Sequence, residues 1–172
     1  EKVDECPLRD RLFNFFELVY VISGTGNHTV NGNTFPYLAG DLFLITPNDS
    51  HGFDLESTCE FMVVRFGESY IKEFQWKSID HIECLLYYAS HLSGSVLVNN
   101  DDKEMIILLM RNLQQATELQ AMYSEDLISH LVNAIIVIAA RNIAIIKPQS
   151  ISPNADIRTL QILDYIQEHI RQ

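Results

Sequence analysis

What most limits how this chain can fold is a change of hydrophobic period near residue 69. Before it, apolar residues come in short alternating runs. After it, they recur three and four positions apart. Successive side chains of a strand point to opposite faces, whereas a helix stacks positions i, i+3 and i+4 on one side. The chain therefore has to build a β unit first and a helical unit second.

Residues 13 to 67 read as β. FFELVYVISG is dominated by β-branched and aromatic residues and ends in glycine. In NHTVNGNTF, Asn31-Gly32 sits between two alternating segments, the pairing that a type I′ hairpin turn requires. TFPYLAGD, LFLITPND, HGFDLES and EFMVVRFG follow at short spacing, each broken by Gly, Pro, Asn or Asp. Many short strands with frequent turns predict a sandwich or barrel. No helix follows the GTG at 24–26, so a dinucleotide-binding loop is excluded.

The second half reads as helices over SYIKEFQW and SIDHIECLLYYASHL, with SVLV at 95–98 as a short strand. Asp101 and Asp102 are candidate caps for a helix with Ile106, Leu109, Met110 and Leu113 on one face. Ser124 is the expected N-cap of a helix over about 125–146 that is apolar around most of its circumference. That stretch has the length of a membrane span, but His130, Asn133, Arg141 and Asn142 interrupt it, and a central Arg is costly in lipid. A helix packed on two sides fits better, one side on the β unit and the other on a second copy of the chain. Leu127, Leu131, Ile135 and Ile138 are the expected dimerisation residues.

KPQSISPN then opens a linker, residues 147–155. ADIRTLQILDYIQEHIRQ after it carries a new apolar stripe of Leu160, Leu163, Ile166 and Ile170. By periodicity alone this helix either opens a further domain or folds back on the β unit. The domain expectation is 1–70 barrel, 71–146 helical region, 147–155 linker and 156–172 a final helix.

With 12 Lys+Arg against 23 Asp+Glu the net charge is -11, which argues against this segment gripping nucleic acid itself. Cys6, Cys59 and Cys84 are widely spaced and suggest neither a zinc site nor a disulfide framework; free thiols in a reducing cytoplasm are the plain reading.

A barrel of this size encloses room for one small ligand. Glu17 is the anomaly of its strand, a carboxylate among Phe and Val that needs a partner or a ligand. His51 can bind a metal, hydrogen-bond a ligand, or be satisfied by Asp49 or the backbone. Phe15, Tyr37 and Phe53 can line a pocket or form ordinary core. His28 has no companion in sequence, His-Glu-x-x-His is absent, and no nucleophile–base arrangement stands out.

FFELVYVISGTGNHTVNGNTFPYLAGDLFLITPNDSHGF closely resembles the N-terminal cupin domain of AraC-family transcription regulators. The likeness continues through ARNIA to the linker. Its specific parts are Glu17 and Gly24 with six residues between them, Gly40-Asp41, Pro47 and His51. The resemblance implies an α+β fold, a cupin-like β-barrel followed by a helical dimerisation region. Residues 156–172 then resemble the first helix of the family's DNA-binding region, truncated before its helix-turn-helix motifs. Cupin enzymes hold metal through a His-x-His pair, a Glu and a later His. Glu17 and His51 match the last two, but the pair falls at Arg11 and Phe13, neither a usual ligand. The resemblance therefore implies no metal or other cofactor and no catalysis. It implies a cytoplasmic homodimer that binds a small effector, a sugar among the candidates, at Glu17, His51, Phe15, Tyr37 and Phe53. DNA would be contacted only through the missing domain. A metal-dependent isomerase or dioxygenase is the alternative, disfavoured by the missing pair. A dimerisation module with a self-filled barrel is the third reading.

Overall fold

The computed structural model describes residues 15–47, 49–76, 82–92 and 94–146, and the backbone of 2–3 and 11–12. Eight strands come first: β1 (Lys2–Val3), β2 (Arg11–Leu12), β3 (Phe16–Ser23), β4 (Gly26–Val30), β5 (Asn33–Tyr37), β6 (Leu42–Ile45), β7 (Ser50–Leu55) and β8 (Cys59–Phe66). Helices α1 (Glu68–Glu73), α2 (Ile82–Tyr88), α3 (Asn100–Glu118) and α4 (Ser124–Ile146) follow, with one 3-10 turn at Ala89–His91. The strands form two antiparallel sheets, ordered β1-β8-β3-β6 and β2-β7-β4-β5. This is the expected α+β architecture, with sheets before helices.

Strand β3 explains why both of its faces are apolar. Val19 and Val21 point between the sheets, into a core that includes Tyr37, Phe43, Phe53 and Phe61. Phe16, Leu18 and Tyr20 point the other way, into a second core shared with the helices. Alternation sends one parity into each core, so one strand serves two layers. The β4–β5 hairpin turns at Asn31 and Gly32, both with positive φ, as a type I′ turn needs.

The glycines of GTG have a packing role. Gly24 takes φ +98, and a Cβ there would lie 2.4 Å from Cys59 Sγ. A Cβ on Gly26 would meet the Tyr37 hydroxyl at 2.6 Å. Only a residue without a side chain lets the backbone approach these groups.

Three expectations about the helical half are corrected. Residues 95–98 form no strand; Val96 N donates once to Leu42 O, and the segment lies against the sheet end without a ladder. The cap of α3 is Asn99, whose side chain accepts from Asp102 N, while Asp102 turns inward and accepts from Arg141 and Asn142. Ser124 is the first helical residue of α4, and its hydroxyl donates to Ala121 O instead of capping. By length and composition α4 could cross a membrane, yet half of its most apolar window is buried against this chain's own core. The expected linker at 147–155 and the helix at 156–172 lie outside the described residues.

Candidate functional site

The turn after β6 sets the site. Asp49 Oδ2 accepts from the backbone N–H and the hydroxyl of Thr46, at 2.9 and 2.6 Å. Its other oxygen accepts from Asn31 Nδ2 at 2.8 Å, and Asn31 Oδ1 accepts from Ser50 N. The two turns are thereby clasped together, and β7 enters the barrel with His51 and Phe53 facing inward. Asp49 is occupied by these contacts, so the possibility that it satisfies His51 is set aside.

Four polar residues from four strands then meet inside. Glu17 on β3 stands opposite Arg65 on β8 in register, and Arg65 Nε donates to Glu17 Oε2 at 2.8 Å. Glu17 Oε1 faces His51 Nε2 at 3.4 Å, an ion-pair distance longer than a good hydrogen bond. His51 Nδ1 lies 3.1 Å from Nε2 of His28 on β4. The line runs from half-exposed Arg65 to wholly buried His28.

The direction of each hydrogen follows from its neighbours. Burial pushes the Glu17 carboxyl up, but hydrogen bonds from His51 and Arg65 and the charge of Arg65 outweigh it, so its pKa is lowered and it stays a carboxylate. A carboxylate only accepts, so a neutral His51 carries its proton on Nε2 and offers Nδ1 as acceptor. His28 must then donate from Nε2. Burial, reinforced by the field of His51, pushes the His28 pKa down to about 3, so the ring is neutral and its Nδ1 is a bare acceptor. That Nδ1 has no partner among the described residues. An unmatched buried acceptor costs about 1–3 kcal/mol.

Aromatic rings hold His28 in place. It stacks on Phe53 at 4.2 Å and 9° and touches Phe43 and Phe35 with centroids at 4.6 and 5.3 Å.

The structure brings Glu17 and His51 together and puts Tyr37 and Phe53 in the same interior core. Tyr37 is engaged with Cys59 Sγ at 3.1 Å. Phe15 stands apart: it is half-buried outside that core, with the Arg65 guanidinium 5.6 Å from its ring centre. Sequence reasoning missed His28 and Arg65. The parity of β4 held the signal for His28, which alternates with buried Gly26 and Val30. Arg65 follows from its register with Glu17, which no single strand reveals.

Of the residues expected at a dimer face, Ile135 and Ile138 are 0% and 4% exposed in this chain's own core, so neither offers a side chain to a partner. Leu131 is half-buried, and Leu127 is exposed. Among the described residues no group of three His, Cys, Asp or Glu is placed to hold a metal ion.

A profile described as AraC-like ligand binding domain matches residues 9–132. No curated protein matches the chain. Among solved structures, the AraC-like transcriptional activator CuxR is similar over 85% of this chain and 48% of its own, at 12% identity and TM-score 0.56, a likeness of fold. A predicted oxalate decarboxylase from Thermotoga maritima shares 25% identity over 38% of this chain and 60% of its own, at TM-score 0.35. A cupin protein from Bacteroides fragilis shares 18% over 45% of this chain and 62% of its own, at TM-score 0.34. The chain spans about half the length of the AraC-like activator it resembles. The profile covers well over half of the chain, so the chain belongs to the AraC-like ligand-binding domain family.

Proposed function

We propose that this domain senses a neutral, hydroxyl-bearing small molecule at the Arg65–Glu17–His51–His28 line and acts as the regulatory part of a cytoplasmic transcription regulator. The observation that carries this reading is the bare Nδ1 of His28, buried and without a partner among the described residues. An acceptor is completed by a donor, and a sugar or polyol hydroxyl supplies one. A carboxylate would face it lone pair to lone pair. Glu17 fixes the chain of protons, and Arg65 holds Glu17 from the solvent side.

Dimerisation belongs to the same proposal. With Ile135 and Ile138 inside, the large apolar residues left exposed on α4 are Leu127, Val137 and Ile145, and on α3 Met105 and Leu108. A regulator of this kind would pass its ligand state to paired DNA-binding domains only if the ligand favours one arrangement of the pair.

A second reading has its own support. Phe43, Phe53, Phe61 and Tyr37 already pack the interior, with Phe53 and Phe61 4.8 Å apart, as a barrel that only dimerises would require. Calorimetric titration with a panel of monosaccharides and polyols separates the two. Saturable binding that His28→Leu weakens by about tenfold supports sensing, since that is the loss of one good hydrogen bond. Flat titrations across the panel, with a dimer seen in sedimentation, select the second reading.

A further inference from the structure

A cleft of about 360 Å³ lies outside the barrel, lined by residues of α3, β3 and β8. Its walls are Ile107 and Met110 of α3 and Met62 of β8, with the Tyr20 phenol at the base and Arg111 and Gln114 at the rim. The volume falls within the range of small-molecule sites, which combine apolar walls with a few convergent polar groups. None of the barrel line's four residues contributes to it.

Arg111 is its most informative feature. Among the described residues Arg65, Lys72 and Arg141 each have a carboxylate within ion-pair distance. Arg111 forms no ion pair or hydrogen bond with any described residue. Tyr20 is almost wholly buried, and its hydroxyl likewise has no hydrogen-bond partner among the described residues. Burial pushes its pKa up against the opposing field of Arg111, so it stays a neutral donor. A guanidinium, a phenol and an amide thus converge on an apolar wedge. We propose that this sheet–helix cleft is a second ligand site, separate from the barrel, that takes a small aromatic carboxylate.

Each part of that description has a physical source. One guanidinium matches one carboxylate in a forked pair, and the phenol adds a further donor. A phosphate dianion would need more cationic donors than the rim supplies. Thioethers of Met62 and Met110 favour an aromatic body through sulfur–ring contacts, and their flexibility lets the walls adapt. The ligand would touch the barrel sheet and α3 at once, so its binding would also tie the barrel to the helical pair.

The test is equilibrium dialysis and calorimetry of the full chain with naphthoate, and with naphthamide as its uncharged analogue. The expected result is saturable binding of one naphthoate per chain. Arg111→Gln should weaken it by about tenfold or more, and naphthamide should bind the wild type weaker by a similar factor. Arg111 is exposed and has no ion pair among the described residues, so this variant should keep the wild-type melting temperature. Glu17→Gln should leave naphthoate binding unchanged while altering any response to polyols. The proposal fails if naphthoate shows no saturable binding, if Arg111→Gln binds it as tightly as wild type, or if Glu17→Gln abolishes its binding.

Discussion

Nε2 of His28 lies 3.1 Å from Nδ1 of His51, and both rings are sealed inside the barrel. Burial holds His28 neutral, so this ring couples the folding of the barrel to pH.

Neutral His28 should make the domain acid-sensitive. Its folded pKa lies near 3 against 6.5 for the free side chain, so as pH falls the unfolded chain takes the proton first. The stability held by neutral His28 is complete above the unfolded value and drains away as pH falls through it, by up to about 1.4 kcal/mol per pH unit. Urea unfolding between about pH 7.5 and 5 should show this slope, and His28→Phe should flatten it. Parallel slopes for the two proteins would remove His28 as the cause.

Glu17 and Arg65 should contribute unequally. Glu17→Leu strips His51 Nε2 of its acceptor inside the barrel and should cost about 2–3 kcal/mol. Arg65 is 48% exposed, so water can take its place, and Arg65→Met should cost about 1 kcal/mol or less. Glu17 has a lowered pKa and stabilises the fold above its unfolded value of 4.5, losing that contribution as pH falls below it. Without Arg65 the carboxyl is less depressed, so stability should fall less steeply below about pH 4.5. Acid titrations followed by circular dichroism measure both effects.

Two glycines with similar backbones should respond differently to alanine. Gly24 and Gly32 have φ of +98 and +84, so each substitution incurs the left-handed strain of about 1 kcal/mol. A Cβ at Gly32 meets nothing within 4 Å, whereas one at Gly24 runs into Cys59 Sγ and Thr58 O. Gly24→Ala should therefore cost about 3 kcal/mol or more and Gly32→Ala about 1. Equal midpoints in thermal melts would contradict the tight approach at Gly24.

Asn142 ties the segment before α3 to α4. Its Oδ1 accepts from Val98 N and Asn99 N, both at 3.0 Å, and its Nδ2 donates to Asp102 Oδ2 at 2.7 Å. Asn142→Leu removes the acceptor of Val98 N and Asn99 N and one of the donors to Asp102, which keeps Arg141, and should destabilise by about 1–3 kcal/mol. Amide exchange at Val98 and Asn99 should rise with it, whereas an unchanged exchange rate would show that the segment is held by other contacts.

Positions two apart on α4 should separate folding from assembly. Ile135→Asp buries a charge in the shared core and should unfold the domain, a loss of more than about 4 kcal/mol. Val137→Asp lies at 36% exposure and should leave the melting temperature within a few degrees while weakening self-association. Sedimentation of Val137→Asp as a dimer of wild-type affinity would move the interface off this face.

The order of strands before helices, the Asn31-Gly32 hairpin, the two-sided burial of β3 and the extent of α4 were legible in the sequence. Each rests on local periodicity or on a turn that a few adjacent residues specify. Glu17 was legible as an anomaly for the same reason, an acid at an inward position. Its partners were not. Arg65 reaches it across a register between β3 and β8, and His28 reaches His51 across β4 and β7, contacts whose sequence separations carry no local signal. The inner and outer faces of α4 likewise required the tertiary structure, because an apolar helix shows that it must be covered but not by what. Ile135 and Ile138 are covered by the chain itself. Periodicity thus determined which elements form and which side chains turn inward, while only the packing of two sheets and two long helices decided which inward groups meet, because that depends on distances no stretch of chain encodes alone.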